Sequence, residues 1–322
     1  MYTTYQLLSR DIPTSTHPHI ASTAADQHAF GHRNQANRGQ ARKSVLPSRE
    51  DHHPGAPAQR KRSTPPIPHH HHPPTNRSQA VVTLTAAALN HRDLFIRQHL
   101  YPGTTFGVPL LADGVGIVST TGASAKHWLN KRVVLNPGTG WKDSPDGPEA
   151  PKGYAILGGT KSNPAGTLAD VITLDEGELE DCPEHLSDEE AAALPLTGLT
   201  GWRAFRVKCG DNAKAGRNVL VTGIGGGVAL MVLLFAVAEG CNVYVTSGDQ
   251  AKIDKAVKLG AKGGVSYKEK DWEKKLQGML PKERKYLDAI VDGAGGDVVA
   301  KGSRLLKVSC YPLISPDHWS SY

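Results

Sequence analysis

Cysteine is scarce in this sequence and nowhere paired: Cys182, Cys209, Cys241 and Cys310 stand far apart, with no CxxC spacing. That speaks against a disulfide framework and against a structural zinc knuckle. Long apolar runs are missing too. No stretch reaches the about 18 apolar residues that mark a membrane span, and no signal-peptide core opens the chain, so a soluble intracellular protein is expected. An excess of one charge is confined to the beginning. The formal net charge is +6, but ten of the 37 Lys/Arg and only four of the 31 Asp/Glu fall in residues 1–80, so the remainder carries 27 of each. The sequence therefore has no broad basic face for nucleic acid.

Residues 1–79 hold ten of the 22 prolines, with many His, Arg, Gln and Ser/Thr. Such a composition buries too little apolar surface to offset chain ordering, and a disordered low-complexity tail is expected. The four histidines at 69–72, beside Pro73 and Pro74, read as a compositional tract rather than a metal site. Arg-rich, acid-poor character raises a mitochondrial presequence; Asp11 and the lack of an amphipathic helix favour the cytoplasm.

The most informative stretch is 218–229, NVLVTGIGGGVA. An apolar β-branched run breaks into glycines and passes into a long apolar helix (228–239), the pattern of a strand, a phosphate-gripping turn and a helix start. Glycines let the backbone approach a pyrophosphate closely, and the free amides of a helix start attract the anion. The GxGxxG frame is imperfect: counted from Gly223 its third position is Val228, and one residue later it is Ala229 at the price of Ile224 in first place. Downstream, strands at 241–247, 265–267 and 287–292 alternate with helices at 250–259 and 271–279. This predicts a parallel sheet with right-handed crossovers, the Rossmann arrangement. Upstream, short strands at 81–89, 114–119, 131–135 and 168–174 between Pro/Gly turns predict a small β-rich unit. Ser187 and Glu190 have capping-box spacing, so a helix is expected to start there, followed by a helical segment at 197–205.

Several ordered motifs resemble the medium-chain dehydrogenase/reductases over residues 80–307: Asn90-His-Arg-Asp93, Arg97, Tyr101-Pro-Gly103, Asp113-Gly-Val-Gly116, the run from Leu194 to Trp202, and the glycine turn. The match is best to the zinc-independent quinone oxidoreductase and enoyl reductase branch, whose barrel-strand motif is NxxDxxxRxGxY; His99 replaces its glycine. The resemblance implies an α/β protein with an incomplete GroES-like β-barrel catalytic domain (80–200), a partial, doubly wound Rossmann domain (201–307) and an atypical tail (308–322). It implies further that Asn90 and Tyr101 face nicotinamide or substrate, and that Thr197 and Thr200 lie near the cofactor path beside Gly223, Gly225, Gly226, Gly227 and Val228. The blander roles are a core aromatic for Tyr101, helix capping for the threonines, and a helical ion pair for Asp93 with Arg97.

Catalytic zinc needs three protein ligands and an open position. Zinc-dependent relatives carry Cys where this chain has Asn90, and His-Glu where it has Ala112-Asp113; His91 alone makes no site, and residues 138–159 contain no cysteine for a structural ion. No metal is expected. The second Rossmann strand ends Val245-Thr-Ser247-Gly248 without a carboxylate, and Lys252 follows, which favours NADPH over NADH. Asp249 complicates this if the strand runs on.

Two departures from the family stand out. The tail replaces an opening barrel hairpin, and the chain departs after Lys307 where relatives continue the sheet, leaving an edge that invites pairing or aggregation and makes a homodimer doubtful. The expected activity is NADPH-dependent reduction of quinone-like or α,β-unsaturated carbonyl substrates without zinc, weakened or lost if the chain is truncated. The alternatives are a non-catalytic nucleotide- or RNA-binding module and a zinc-type alcohol dehydrogenase.

Overall fold

Small and β-branched residues from Gln79 to Ala88 form the first strand, β1, of a computed structural model whose described residues are 76–307. The 69–72 tract, most of the expected tail and the segment 308–322 lie outside the described residues. Residues 76–79, placed in the tail by sequence, are tied to the barrel: the Arg77 carbonyl accepts from Ser124, and Ser78 Oγ donates to Asp175 at 2.5 Å.

After β1 comes a short helix, α1 (His91–Arg97), with Asn90 as its N-cap in extended conformation (φ −121°, ψ 162°). This corrects the assignment of the NxxDxxxR motif to a barrel strand. The expected Asp93–Arg97 pair is replaced as well. Asp93 is buried, accepts from the Asn90 amide at 2.7 Å and lies 3.6 Å from Arg92, while Arg97 is exposed. An N3 acid that closes a capping loop satisfies a donor the helix itself cannot, which outweighs a solvent-screened pair.

The chain continues through β2 (Asp113–Thr121), β3 (Arg132–Leu135), β4 (Gly138–Thr139), β5 (Ala155–Ile156), β6 (Val171–Asp175) and β7 (Leu179–Asp181). Five strands make one antiparallel sheet in the order β6-β1-β2-β3-β7, and β4 and β5 pair separately. Ala80, Val82, Val118, Val133, Leu135, Leu157 and Ile172 fill the barrel core.

The lobe between β4 and β5 is organised by one carboxylate. Glu149 accepts from the amides of Lys142, Asp143 and Ser144 at 2.8, 2.7 and 2.5 Å, while Trp141 lies under the Arg203 guanidinium at 4.9 Å and edge-on to Tyr154. The amides, that of Ser144 foremost, hold the Glu149 carboxyl down at about 2. A depressed carboxylate stabilises above its unfolded value near 4.5 and loses that contribution as pH falls through about 2. Glu149→Gln is therefore expected to remove this acid-range dependence and to speed hydrogen exchange of the three amides at neutral pH; unchanged exchange refutes the role.

Helix α2 (Asp188–Ala192) starts at the expected capping box, with Glu190 N donating to Ser187 Oγ (3.2 Å) and Ser187 N to the Glu190 carboxylate (3.0 Å). Helix α3 (Pro195–Trp202) then leads into a π-helical turn (Arg203–Lys208). Beyond it lie β8 (Asn218–Val221), α4 (Gly227–Ala238), β9 (Asn242–Ser247), α5 (Gln250–Lys258), β10 (Gly263–Ser266), α6 (Trp272–Met279), β11 (Ala289–Val291) and α7 (Val298–Gly302). The sheet is parallel throughout in the order β10-β9-β8-β11, so the chain reverses its winding direction between β8 and β11, where open α/β sheets bind ligands.

Helix α4, GVALMVLLFAVA, is apolar on every side because it is covered twice, by the sheet and by α3 with the π-helical turn; Trp202 meets Phe235 edge-on at 5.3 Å. On the opposite face of the sheet Trp272, Leu276, Leu287 and Ile290 form a second layer of core. Asp288, wholly buried before β11, accepts from the Asn218 amide at 2.9 Å and draws in Arg284 (2.8 Å), Arg217 (3.3 Å) and Lys307 (3.7 Å). No helix of the described residues is long and apolar enough to cross a membrane.

Candidate nucleotide-binding cleft

The glycine turn lies at the strand-to-helix junction between β8 and α4. It is fastened to β9: Ile224 N donates to Thr246 O at 2.9 Å and Gly223 N to Thr246 Oγ1 at 3.2 Å. Gly226 caps α4 with no side-chain bond, so the first-turn amides, those of Gly227 and Val228 among them, have no acceptor within the helix. A side chain is crowded out at Gly227, where a Cβ would lie 2.8 Å from Thr197 Cγ2, whereas one on Gly225 would meet only the flexible end of Lys252, at 3.0 Å. Gly225 and Gly226 themselves are exposed. The open amides of Gly227 and Val228 at an uncapped helix end make a cradle that fits the pyrophosphate of a dinucleotide.

At the sheet's next strand end the structure separates two residues that sequence alone left competing. β9 ends at Ser247, which is buried and whose Oγ accepts from Asp249 N at 3.2 Å. Asp249 lies beyond it as the N-cap of α5, its carboxylate accepting from Ala251 N at 2.9 Å. Two residues missed by sequence reasoning close over this end: a Cβ on Gly248 would lie 2.5 Å from Tyr267 Oη and 2.8 Å from Lys268 Cε. The signal was the Tyr-Lys pair directly after β10, the strand paired with β9.

Of the other expected residues, Thr197 donates its hydroxyl to Ala193 O at 3.0 Å and turns its methyl to Gly227. Thr200 lies further along α3, half-buried, its carbonyl accepting from the Arg203 amide.

On the barrel side, Asn90 Nδ2 donates to Asp113 Oδ2 at 2.8 Å, and Asp113 Oδ1 accepts from the Leu196 amide of α3, also at 2.8 Å. Burial pushes the Asp113 carboxyl up to about 7 against the opposing pull of those two bonds. Half-buried Tyr101 has the Arg92 guanidinium 4.8 Å from its ring centre, and Arg92 is itself held by the carbonyls of Leu157 and Gly158, each at 2.9 Å. Desolvation raises the Asp93 carboxyl and the Tyr154 phenol in the same region. Asn90 and Tyr101 thus border one polar cluster, linked to the glycine turn through Asp113, Leu196 and Thr197.

Two family models match this chain: the alcohol dehydrogenase GroES-like domain over residues 76–184 and the zinc-binding dehydrogenase over residues 227–309. It is 47% identical over 247 residues to the zinc-type alcohol dehydrogenase-like protein YogA of Leptosphaeria maculans, an alignment covering 73% of this chain and 69% of the relative. The chain belongs to the medium-chain dehydrogenase/reductase superfamily. Members with solved structures share the fold. An NAD-dependent alcohol dehydrogenase is 32% identical with a TM-score of 0.63, covering 73% of this chain and 68% of the other. Escherichia coli quinone oxidoreductase complexed with NADPH is 26% identical with a TM-score of 0.57, covering 72% and 62%.

Medium-chain dehydrogenase/reductases of the zinc type need a ligand set that the residues present do not fit. Among the described residues no group of three or more His, Cys, Asp or Glu could hold a metal ion. Of the two acids beside Asn90, Asp93 closes the helix cap on the Asn90 backbone amide, and Asp113 has both oxygens engaged by neighbouring N–H groups.

Proposed function

We propose that this medium-chain dehydrogenase/reductase is an NADPH-dependent reductase of quinone-like or α,β-unsaturated carbonyl substrates that works without zinc. The observation that carries the reading is the end of β9. It stops at Ser247 with no carboxylate in line, Asp249 is committed to capping α5, Lys268 lies beside Gly248, and Lys252 lies beside Gly225. A strand end of this kind suits a 2′-phosphate and offers little to a 2′-hydroxyl.

The amides of Gly227 and Val228 at the α4 terminus would hold the pyrophosphate, with Gly225 and Gly226, whose own amides turn back on the Gly223 carbonyl, leaving it room; Lys252, Lys268 and Tyr267 would hold the adenosine phosphate, and Thr197 would form the wall of the cradle. When bound, the nicotinamide supplies a hydride to an electrophilic carbon. This chain's own residues do the rest. With no metal to polarise the carbonyl, Tyr101 Oη donates a hydrogen bond or proton to it, Arg92 holds the Tyr101 ring, and Asn90 orients whichever group lies beside its amide.

Binding measured by fluorescence titration is expected to favour NADPH over NADH by at least about tenfold. Lys252→Ala is expected to reduce that preference by about tenfold or more, the range of one charge-assisted bond. Equal affinities, or a preference untouched by the substitution, refute the cofactor assignment. NADPH oxidation is expected only when a quinone or enone is added. Stoichiometric NADPH binding without turnover across such acceptors refutes the enzymatic reading in favour of a binding module.

A further inference from the structure

We propose that Asp113 is a positioning residue: it fixes the orientation of the Asn90 side-chain amide and joins that amide to α3, the helix whose Thr197 packs on the phosphate turn. The proposal rests on the reading above that Asn90 works in the cleft.

An ionised carboxylate only accepts hydrogen bonds. Asp113 therefore binds Asn90 by its NH2 end, at 2.8 Å, and the amide oxygen is left as the end turned to any other donor. The second carboxylate oxygen takes the Leu196 amide at 2.8 Å, one residue before Thr197. Nothing in this arrangement is loose. Asp113 is 1% exposed, its carbonyl accepts from Thr167 Oγ1 at 2.7 Å, and in the sheet register it sits opposite Ala88, two residues before Asn90. The charged or titratable groups facing it are Arg92 and Asp93 of α1, and Tyr154 just before β5. Burial brings its carboxyl to about 7, so the state of this link changes near neutral pH.

Asp113→Asn separates the roles. The new side-chain oxygen keeps the Leu196 contact, while the new NH2 meets the Asn90 NH2 and forces the Asn90 amide to turn over. The expected result is a kcat lower by about tenfold or more, with the NADPH dissociation constant within about threefold of wild type. Asn90→Ala with Asp113→Asn is expected to be no slower than Asn90→Ala alone, because one residue acts through the other. Multiplicative losses in that cycle, or an unchanged kcat in Asp113→Asn, overturn the proposal.

A second readout needs no activity. With asparagine labelled selectively by nitrogen-15, the Asn90 NH2 signal, assigned by its loss in Asn90→Ala, is expected to shift with a midpoint near pH 7 in wild type and to stop shifting in Asp113→Asn. A signal indifferent to pH in wild type, or equally sensitive in the variant, overturns the proposal. If wild-type protein fails to turn over NADPH, the functional reading falls, and this signal alone decides whether Asp113 governs the Asn90 amide.

Discussion

Asp288→Ala is expected to destabilise the protein by about 3 kcal/mol and to lower its melting temperature by about 6–12 °C. The estimate follows from what the change leaves behind. Asp288 is 0% exposed, and its Oδ2 is the acceptor for the backbone amide of Asn218, a residue that is also 0% exposed. A buried donor without a partner costs about 1–3 kcal/mol, and the lost bond to a charged group adds about 1.5–3 kcal/mol at most. The cations contribute less than their number suggests. Arg217, Arg284 and Lys307 keep 34%, 26% and 24% of their side-chain surface in water and can turn outward once the carboxylate is gone. Asp288→Asn, which retains an acceptor for Asn218, is expected to lose clearly less than Asp288→Ala. Equal losses in thermal melts of the two variants would falsify the claim that the amide, rather than the ion pairs, sets the size of the effect.

The other large effect concerns two glycines of nearly equal backbone conformation. Gly153 and Gly158 have φ of +80° and +78°. Their surroundings differ completely: a Cβ on Gly153 meets nothing within 4 Å, whereas one on Gly158 would lie 2.4 Å from the Leu111 carbonyl oxygen and 2.6 Å from its carbon. Gly153→Ala is therefore expected to cost only the left-handed penalty, about 1–2 kcal/mol. Gly158→Ala adds a collision with backbone that cannot rotate away, and a loss above about 4 kcal/mol is expected, seen as poor soluble yield or a collapsed melting transition. The damage reaches the cleft, because Leu111 lies two residues before Asp113 and the Gly158 carbonyl is one of the two that hold Arg92. Similar melting of the two variants sinks the steric account.

The parallel sheet was the more legible half of the molecule. Strands β8, β9 and β11 are largely apolar and buried on both faces, α4 to α6 start after glycine or aspartate, α4 and α5 stop at glycine and α6 before Pro281, and each boundary signal is local, so β8 to α6 fall close to where periodicity puts them. The barrel hides its order. Strands β4 and β5 are two residues each and exist only as partners of one another, and β7 is a strand because β3 lies beside it. α1 shows the same limit in another form. Alternative readings of residues 90–97 as strand or helix are decided by the Asn90–Asp93 cap, and the fate of Asp93 by burial beside Arg92, which a four-residue spacing could not reveal.

In the cleft, the glycine turn was legible because a strand-to-helix junction built of glycines leaves a mark in composition. Asp113 was not. Its partners stand 23 and 83 residues away, and in sequence it is merely the acid that follows Ala112. Tyr267 and Lys268 were hidden for a related reason, since they reach Gly248 from the loop after the neighbouring strand.

The double covering of α4 bears on how a ligand enters. Amides sealed between two apolar layers exchange with solvent through large-scale opening, so α4, which follows the glycine turn, is expected to exchange among the slowest of the described elements. The barrel segment 94–106 is built otherwise: Leu94, Leu100 and Phe106 lie on short helix and loop with 47%, 67% and 61% of their surface uncovered. Substitutions at Leu94, Leu100 or Phe106 are therefore expected to leave the packing of the β8–α4 turn unchanged.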